Sequence, residues 1–217
     1  LGEKTIEGIK IITVTGDSPD AFVQDGRIVA GAYDYYLQQG NADGEDTNSW
    51  YLTNELSPVD PTPSVRPEAG AYLGNLYAAN NMFQMSLHDR LGEVAFTENE
   101  DKNDDVWVRF DTRKVNVKTN LGGVDIGQTY NGVQFGYDFL RKEYSKGNEK
   151  SFVLAGIMGG YGDTSTTAKG TAYNAGGSLH GFSVGPYATW YRESPHKSGT
   201  YADVWALWNR FDGTTNG

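Results

Sequence analysis

Residues 66–93 read RPEAGAYLGNLYAANNMFQMSLHDRLGE, a stretch that opens with residues typical of a helix start and closes with a helix stop. Pro67 and Glu68 favour the start of a helix, because proline is tolerated at the first helical position and a carboxylate suits the positive end of the helix dipole. Gly92 supplies a stop signal. Between them, apolar residues recur close to helical spacing: Leu73, Leu76, Phe83, Leu87 and Leu91. The pattern predicts one helix over residues 67–92.

The predicted helix is long enough to cross a bilayer but too polar to touch lipid. About 25 residues at about 1.5 Å each give roughly 37 Å, against about 30 Å of hydrocarbon. Small residues keep its first half thin: Ala69, Gly70, Ala71, Gly74, Ala78 and Ala79. Other side chains would lose their hydration in lipid: Glu68, Asn75, Asn80, Asn81, Gln84, His88, Asp89 and Arg90. They would stay hydrated inside a water-filled barrel, although periodicity alone also fits an amphipathic helix packed on a soluble domain.

Downstream of the helix, apolar and polar side chains alternate, as in strands that have one apolar face. The first such segment divides into two faces: Val106, Val108 and Phe110 opposite Trp107, Arg109 and Asp111. The second divides in the same way: Val133, Phe135, Tyr137 and Phe139 opposite Gln134, Gly136 and Asp138. Further segments are predicted at 151–161, 179–191 and 201–211.

Aromatic residues gather toward the ends of these segments: Tyr137, Phe139, Tyr144, Trp190, Tyr191, Trp208 and Phe211. This placement resembles the interfacial girdles of outer-membrane barrels, whose strands need only about ten residues of alternating character. A soluble β-sandwich shows the same alternation, so both interpretations stay open at this point.

Upstream of the helix, residues 1–56 are predicted to form short strands at 9–14, 27–37 and 49–54, separated by turns. Four of the seven prolines lie at 58, 61, 63 and 67, a spacing that blocks both helix and strand pairing. We therefore predict an extended linker over 57–66. After the helix, residues 93–105 hold six acids and one Lys and are predicted to form an acidic hinge.

The composition favours β-structure and excludes several functions. The chain has 28 Gly, 14 Tyr and 5 Trp, which is typical of strands and turns. A net charge of -10 argues against nucleic acid as a partner. Cysteine is absent, which removes thiolate chemistry and cysteine-based zinc sites. The sequence contains no run of about 18 apolar residues, so it predicts no lipid-exposed transmembrane helix. Leu1 is not followed by the basic and apolar segments of a signal peptide.

The motif at 66–73, RPEAGAYL, followed by LHDRLGE at 87–93, resembles the linker of monomeric autotransporters in the AIDA-type and pertactin-like group of adhesins. Upstream, GRIVAGAYDY at 26–35 and SWYLT at 49–53 resemble the last rungs of the passenger β-helix, the region called the autochaperone. Downstream, VWVR at 106–109 and SVGPYATW at 183–190 resemble early strands of the translocator barrel. Together these motifs cover nearly the whole chain.

The resemblance implies a mainly β fold with three parts. Residues 1–56 would form the C-terminal cap of a passenger β-helix, and 67–92 a pore-threading α-helix in the barrel lumen. Residues 106–217 would form the N-terminal strands of an antiparallel outer-membrane β-barrel. The family's barrel has about a dozen strands, whereas about five fit before Gly217, so we expect an incomplete barrel.

The resemblance also implies function, partners and site residues. The function would be type V secretion, with export and display of an adhesin-like passenger at the cell surface. The partners would be outer-membrane lipid, the barrel assembly machinery, periplasmic chaperones and the chain's own upstream passenger. The lumen candidates are Asn80, Gln84, His88, Arg90, Arg109, Asp111, Gln134 and Asp138. Because a buried Arg needs a counter-charge, we also expect Arg90 near an acid on the polar side of a strand, such as Asp111 or Asp138. The candidates for folding of the cap are Tyr33, Tyr35, Trp50 and Tyr51.

Enzymatic motifs are weak, and we expect no catalytic residues, cofactor or metal. GFSVG at 181–185 matches the G-x-S-x-G pattern of hydrolases, but Ser183 would lie in mid-strand without the required turn into a helix. His88, His180 and His196 lack metal-ligand spacing. Asn80-Asn81 is similar to the site at which some autotransporters cut themselves, although two polar helix residues explain it better. A soluble lectin-like binding module and an esterase built on Ser183 remain as alternatives.

Overall fold

A computed structural model describes residues 8–55, 63–91, 106–118, 123–146, 149–193 and 198–217. These residues form a four-stranded sheet, two helices and a six-stranded antiparallel sheet. The predicted mainly β fold is confirmed. None of the helices in the described ranges is long and apolar enough to cross a membrane. The predicted acidic hinge, the first part of the predicted linker and the predicted helix stop at Gly92 lie outside the described residues.

Residues 8–55, here called the cap, contain four strands: β1 (Ile9–Ile12), β2 (Ile28–Ala30), β3 (Tyr33–Gln39) and β4 (Trp50–Thr53), in the order β1-β4-β3-β2. The prediction of one strand over 27–37 is wrong. Gly31, with φ 58°, lets the chain reverse, since glycine adopts positive φ without steric cost. As a result β2 pairs back on β3, with Ile28 opposite Tyr35.

The described end of the linker is paired with the cap, so the prediction that its prolines block pairing is wrong there. Pro63 forms a bridge with Glu55, and Val65 forms one with Tyr33. The Ser64 N–H donates to the carbonyl of Asn54 at 2.7 Å, and the Ser64 carbonyl accepts from the N–H of Asp34 at 3.0 Å. A proline removes only its own donor, so the residues between two prolines can still pair.

Residues 63–91 together are called the linker from here on, and they form two helices, α1 (Pro67–Asn81) and α2 (Leu87–Leu91), where the sequence predicted one. In a continuous helix the carbonyl of Met82 would accept from the N–H of Ser86. Instead, the Tyr130 hydroxyl donates to Met82, and the N–H of Ser86 donates to the carboxylate of Asp89 at 2.8 Å. The Asp89 N–H in turn donates to Ser86 Oγ. This reciprocal capping box begins α2 afresh.

The second sheet contains β5 (Val106–Lys118), β6 (Asp125–Lys146), β7 (Glu149–Lys169), β8 (Asn174–Glu193), β9 (Ser198–Trp205) and β10 (Trp208–Asn216). Its order is β10-β8-β7-β6-β5, and β9 also pairs with β8. Thus β9 and β10 share one position, interrupted at 206–207, and the sheet has five positions, as the sequence predicted. The sheet is curled, with β5 at one edge and β9/β10 at the other among the described strands.

Burial across this sheet is inverted relative to a soluble protein. Phe110 is 82% exposed and Phe139 62%, whereas Gln134 is 2% exposed and Asp138 7%. The alternation predicted over β5 and β6 is therefore confirmed, with polar residues on the inner, covered face. The predicted aromatic girdle is wrong for Tyr191 and Phe211. Tyr191 is buried on the inner face and Phe211 stacks on Phe83 of the linker.

Candidate functional site

The face of the second sheet that contacts α1 is called the interior face here. Its two ends are the cap end, near Lys118 and Lys169, and the base end, near Val106 and Lys146. Helix α1 contacts β6, β7, β8 and β10 on this face. The interior face with its bound linker is the candidate functional site.

Helix α1 packs through a stripe of small residues. Its buried residues recur at helical spacing: Pro67, Gly70, Ala71, Gly74, Asn75 and Ala78. A Cβ added at Gly74 would lie 2.5 Å from Cγ2 of Thr166, so a larger residue would not fit without movement. Leu73 and Leu76, on which the helix prediction depended, are 57% and 48% exposed and lie on the face away from the described strands. Close approach of backbones, rather than large apolar side chains, therefore holds the helix.

A hydrogen-bonded chain of polar side chains crosses this contact. Gln128 Nε2 donates to Thr166 Oγ1 at 2.9 Å and to the carbonyl of Gly74 at 2.7 Å. Thr166 donates to Asn75 Oδ1 at 3.2 Å. Asn75 Nδ2 then donates to the carbonyls of Ser178 and Thr214, at 3.1 and 3.0 Å. The buried Asn75 thus ties α1 to strands β7, β8 and β10.

The sequence predicts Asn75 only as a polar helix residue and does not identify Thr166 or Gln128 as interior residues. Gln128 was detectable in principle, because it lies an even number of residues before the predicted interior residue Gln134. Thr166 lay in no predicted segment. Its contact with Asn75 depends on how the helix docks, which the sequence does not specify locally.

The carbonyl end of α1 is held by side chains of β5 and β6. The Tyr130 hydroxyl donates to Met82 at 2.9 Å, and Gln134 Nε2 donates to Phe83 at 3.3 Å. Arg113 Nη2 donates to the carbonyls of Asn81 and Met82, both at 3.3 Å. A cation at this position complements the negative end of the helix dipole. These bonds fix where the linker leaves α1.

Toward the base end, Arg90 of α2 is almost completely enclosed. Its side chain is 1% exposed, and Nη2 donates to Asp203 Oδ1 at 2.6 Å and to Thr189 Oγ1 at 2.5 Å. The guanidinium lies over the ring of Tyr187, 4.2 Å from its centroid. An enclosed cation needs such a set of partners, because burial of an unpaired charge is costly.

The expected counter-charge of Arg90 on the interior face is present, but it is Asp203 rather than the two examples expected, Asp111 and Asp138. Asp111 pairs with Arg113 at 2.9 Å and with Arg109 at 3.3 Å. Asp138 pairs with Arg141 at 3.0 Å and accepts a hydrogen bond from Tyr187. Both acids are paired with arginines of their own strands. Helix α2 instead directs Arg90 to Thr189 of β8 and Asp203 of β9, which lie opposite each other in the sheet.

The other lumen candidates divide between two surfaces. Arg109, Asp111, Gln134 and Asp138 lie on the interior face, and Arg109 donates to Gln134 Oε1 at 2.9 Å. Asn80, Gln84 and His88 are exposed on the linker. Asn80 and Asn81 each donate to the carbonyl four residues earlier, as expected of polar helix residues.

The enzymatic motifs do not form a site among the described residues. Ser183 is buried on the interior face in the middle of β8, opposite Gly160, and no helix follows it. The sharp strand-to-helix turn of a hydrolase nucleophile is therefore missing. Within the described ranges no group of three or more His, Asp or Glu could hold a metal ion.

In the cap, three of the four predicted aromatic residues are buried: Tyr35, Trp50 and Tyr51. Tyr33 is half-buried. Tyr51 donates to Asp46 at 2.9 Å, and Lys10 binds the same carboxylate at 2.5 Å. The hydrogen bond from Lys10 is the main reason why the pKa of Asp46 lies well below its usual range, and the same bond raises the pKa of Lys10.

The outward face of the sheet changes from apolar to polar at one level. Strand register aligns an apolar row: Phe110, Val133, Tyr161 and Phe182. The next outward row toward the cap end is polar: Thr112, Asn131, Asp163 and His180. On β7 the outward apolar residues run from Val153 to Tyr161, about nine residues, which is the length of a transmembrane β-strand. This apolar stretch of the outward face is called the band.

Relative to the band, the two helices of the linker lie at different levels along the strands. Gly74 and Asn75 contact Thr166 and Gly177, which lie on the cap side of the polar row. Arg90 contacts Thr189, at the level of the band. The part of the linker enclosed at the level of the band is therefore α2, with its buried cation, rather than α1.

The profile described as Autotransporter beta-domain matches residues 106–217, which contain every strand of the second sheet. The chain belongs to the autotransporter family. The profile Autochaperone Domain Type 1 matches residues 1–37 of this autotransporter chain. The predicted resemblance and the outer-membrane setting of the β-domain are confirmed. The family also decides between the two interpretations of the alternation, since an apolar outward face belongs to a membrane β-domain and not to a lectin-like module.

Relatives of this autotransporter chain include Autotransporter adhesin AIDA-I of Escherichia coli, 35% identical over 233 residues, covering 100% of the chain and 17% of the relative. Uncharacterized protein YdeU of Escherichia coli (strain K12) is 34% identical over 239 residues, covering 100% and 50%. The crystal structure of the transport unit of AIDA-I matches with a TM-score of 0.57 and 29% identity, covering 71% of the chain and 46% of that structure. The chain spans half or less of these relatives' length.

Proposed function

We propose that this chain is the translocator and autochaperone junction of an autotransporter, which exports an adhesin-like passenger attached upstream and displays it on the bacterial surface. The observation that carries the proposal is the division of the curled sheet into an outward apolar band and a polar interior face that holds the linker. A polar interior suits passage of a polypeptide, because lipid offers no partners to backbone N–H and carbonyl groups.

We place the cap outside the cell and the base end toward the periplasm. Barrels of this class have short periplasmic turns and longer extracellular connections. The connection at the base end from Lys146 of β6 to Glu149 of β7 is short, and the outward polar row lies toward the cap end. The short connection supports this orientation.

The proposed partners follow from the same surfaces. Outer-membrane lipid would contact the band. The barrel assembly machinery and periplasmic chaperones would bind the strands before insertion, when apolar side chains and unpaired strand edges are open to aggregation. The net charge of -10 argues against nucleic acid. We propose that the chain acts without a catalytic step.

The proposal is tested in cells with the full-length protein that carries this chain. An epitope inserted at Val23, which is 86% exposed in the cap, should be accessible to antibody on intact cells. Ile157→Lys, in the middle of the band, should lower outer-membrane insertion, because a lysine at mid-bilayer costs about 2–4 kcal/mol. Ser165→Lys, outward on the same strand but toward the cap end, is the matched control.

Two results would contradict the proposal. One is an epitope that is reached only after the cells are opened. The other is equal insertion of the Ile157→Lys and Ser165→Lys proteins, which would mean that the band does not contact lipid. A soluble binding module would instead be recovered in buffer without detergent.

A further inference from the structure

One arginine of the cap binds two carboxylates from separate parts of the chain. Arg27 Nε and Nη2 donate to the two oxygens of Asp34, at 2.6 and 3.2 Å. Arg27 Nη1 and Nη2 donate to the two oxygens of Glu68, at 2.5 and 3.0 Å. Asp34 belongs to β3 of the cap, and Glu68 to the first turn of α1. The flat guanidinium fork suits such paired contacts, which a lysine cannot reproduce.

The same guanidinium also contacts the β-domain. It lies 4.5 Å from the ring centroid of Tyr173, in the connection from β7 to β8 at the cap end. Arg27 therefore joins three parts of the molecule: the cap, the start of the linker helix and a connection between two strands of the β-domain.

We infer that Arg27 is a latch that seats the folded cap on the cap end of the β-domain. The inference deepens the proposed function, since the latch would hold the exported cap at the mouth of the pore and oppose its return. The latch is a docking contact between two parts of one chain, with Arg27 of the cap on one side and Glu68 and Tyr173 on the other.

The latch requires a folded cap. The carboxylate of Asp34 is 3% exposed, and the pairing of Val29 with Asp34 in the β2–β3 hairpin brings Arg27 near it. Before the hairpin forms, Arg27 and Glu68 would be two solvated charges, and an exposed ion pair of that kind contributes little. Once Asp34 holds one side of the fork, the other side is already oriented toward Glu68.

A second contact strengthens the docking of the cap on the linker. Arg66 donates from Nη1 to the carbonyl of Gly31 at 3.2 Å, and its Nε lies 3.6 Å from Glu68 Oε2. The turn between β2 and β3 is therefore bound to the linker as well. The hydrogen bonds from Arg27 are the main reason why the pKa of Glu68 is lowered to about 2, and they raise the pKa of Arg27. Glu68 and Arg27 therefore stay charged at neutral pH.

The position of the cap tests the latch directly. This chain contains no cysteine, and any cysteine outside it would be replaced by serine, so that spin labels can be attached at Val23→Cys in the cap and at Thr167→Cys on the outward face of β7. In the purified full-length protein in detergent, electron–electron distance measurements should give a narrow distribution. Arg27→Ala should broaden it, and Arg27→Lys should broaden it as well, because a lysine cannot form both paired contacts.

Matched variants separate docking from folding of the cap. Lys10→Ala removes a cation whose partner, Asp46, lies within the cap, and it should leave the distribution narrow. Glu68→Gln and Tyr173→Ala lie outside the cap, and they should broaden it while the cap remains protease-resistant. A distribution that stays narrow in Glu68→Gln and Arg27→Ala would overturn the latch. Equal broadening by Lys10→Ala would also overturn it, since loss of the cap fold would then be the cause.

The latch and the proposed function fail in different ways. If the epitope at Val23 is not on the cell surface in the unsubstituted protein, export and display are wrong, whatever the distances show. If the epitope is on the surface but the Arg27 variants leave the distance distribution unchanged, the latch alone is wrong.

Discussion

Arg90 and Asp203 form an ion pair of 2.6 Å between α2 and β9, with the arginine side chain 1% exposed. Removal of one partner of such a pair leaves an uncompensated charge, which typically costs about 3–5 kcal/mol. We expect Asp203→Asn to lower the midpoint of unfolding of the full-length protein in denaturant. Arg90→Met combined with Asp203→Leu should recover most of the loss.

Asp163→Asn is the control for this pair, because Asp163 is exposed on the outward face of β7. It should leave the midpoint unchanged. If Asp203→Asn behaved like Asp163→Asn, the buried pair would contribute nothing to anchoring of the linker.

At Gly74 the substitution of glycine by alanine, which usually stabilises a helix, should be destabilising. Glycine to alanine inside a helix normally gains up to about 1 kcal/mol, but here the new Cβ would lie 2.5 Å from Cγ2 of Thr166. Gly74→Ala should therefore destabilise docking of α1, measured as faster amide hydrogen exchange across the helix. Thr166→Ser removes Cγ2 and keeps the hydroxyl, so the double variant should regain protection. Slow exchange in Gly74→Ala alone would contradict the close packing.

Asn75 and Asn80 provide an isosteric comparison on one helix. In Asn75→Asp a carboxylate oxygen would face the carbonyls of Ser178 and Thr214, which now accept from Nδ2. The lost and unsatisfied hydrogen bonds should cost about 1–3 kcal/mol or more. Asn80→Asp, on an exposed side chain, should have little effect. Equal unfolding midpoints for the two variants would show that the polar chain does not hold α1.

The latch should resist mild acid. The pKa of Glu68 falls from 4.5 to about 2 through its hydrogen bonds from Arg27. A lowered pKa means that its stabilisation is complete above the unfolded value of 4.5 and is lost as the pH falls through about 2. The stability difference between the parent and Glu68→Gln should therefore be constant above this window and shrink within it. Arg27 and Arg66 face Glu68, and Arg27 also binds Asp34.

The strands were predictable because their signal is local. Alternation at Val108 and Arg109, or at Phe135 and Gln134, fixes two faces without reference to the rest of the chain. The same is true of the helix start at Pro67. Which face turns inward followed from the family resemblance and not from the alternation, because a soluble sandwich has the same period.

The remaining features depend on contacts between distant residues. The break after Met82 arises because Tyr130 takes the carbonyl that the helix would use. Small residues and leucines both recur at helical spacing in α1. Which of the two sets forms the docking face depends on the surface of the sheet against which α1 packs. Asp203, which lies 113 residues from Arg90, becomes its partner only through the pairing of β9 with β8.

The last prediction concerns Trp50, in the β-strand at the centre of the cap. Trp50 is 6% exposed, and the ring of Phe22 meets it edge-on with centroids 5.5 Å apart. Strand β4 pairs with both β1 and β3, so loss of the ring should loosen the whole cap. Large-to-small changes of this kind cost about 3–5 kcal/mol, out of the ~5–15 kcal/mol that stabilises a domain. Trp50→Ala should therefore slow emergence of the passenger, while the β-domain still inserts.

The matched control is Val23→Ala, since Val23 is 86% exposed in the same cap; it should be displayed normally. Protease treatment of intact cells, with a binding assay on the same cells, measures both display and adhesion. A role in sugar stacking would require an open ring face, which the burial of Trp50 does not leave. Under that role Trp50→Ala would reach the surface in normal amounts and lose only adhesion. A cap that folds poorly cannot dock on the β-domain, so the folding role predicts less protease-resistant cap at the surface for Trp50→Ala. Normal amounts of protease-resistant cap in that variant would exclude the folding role.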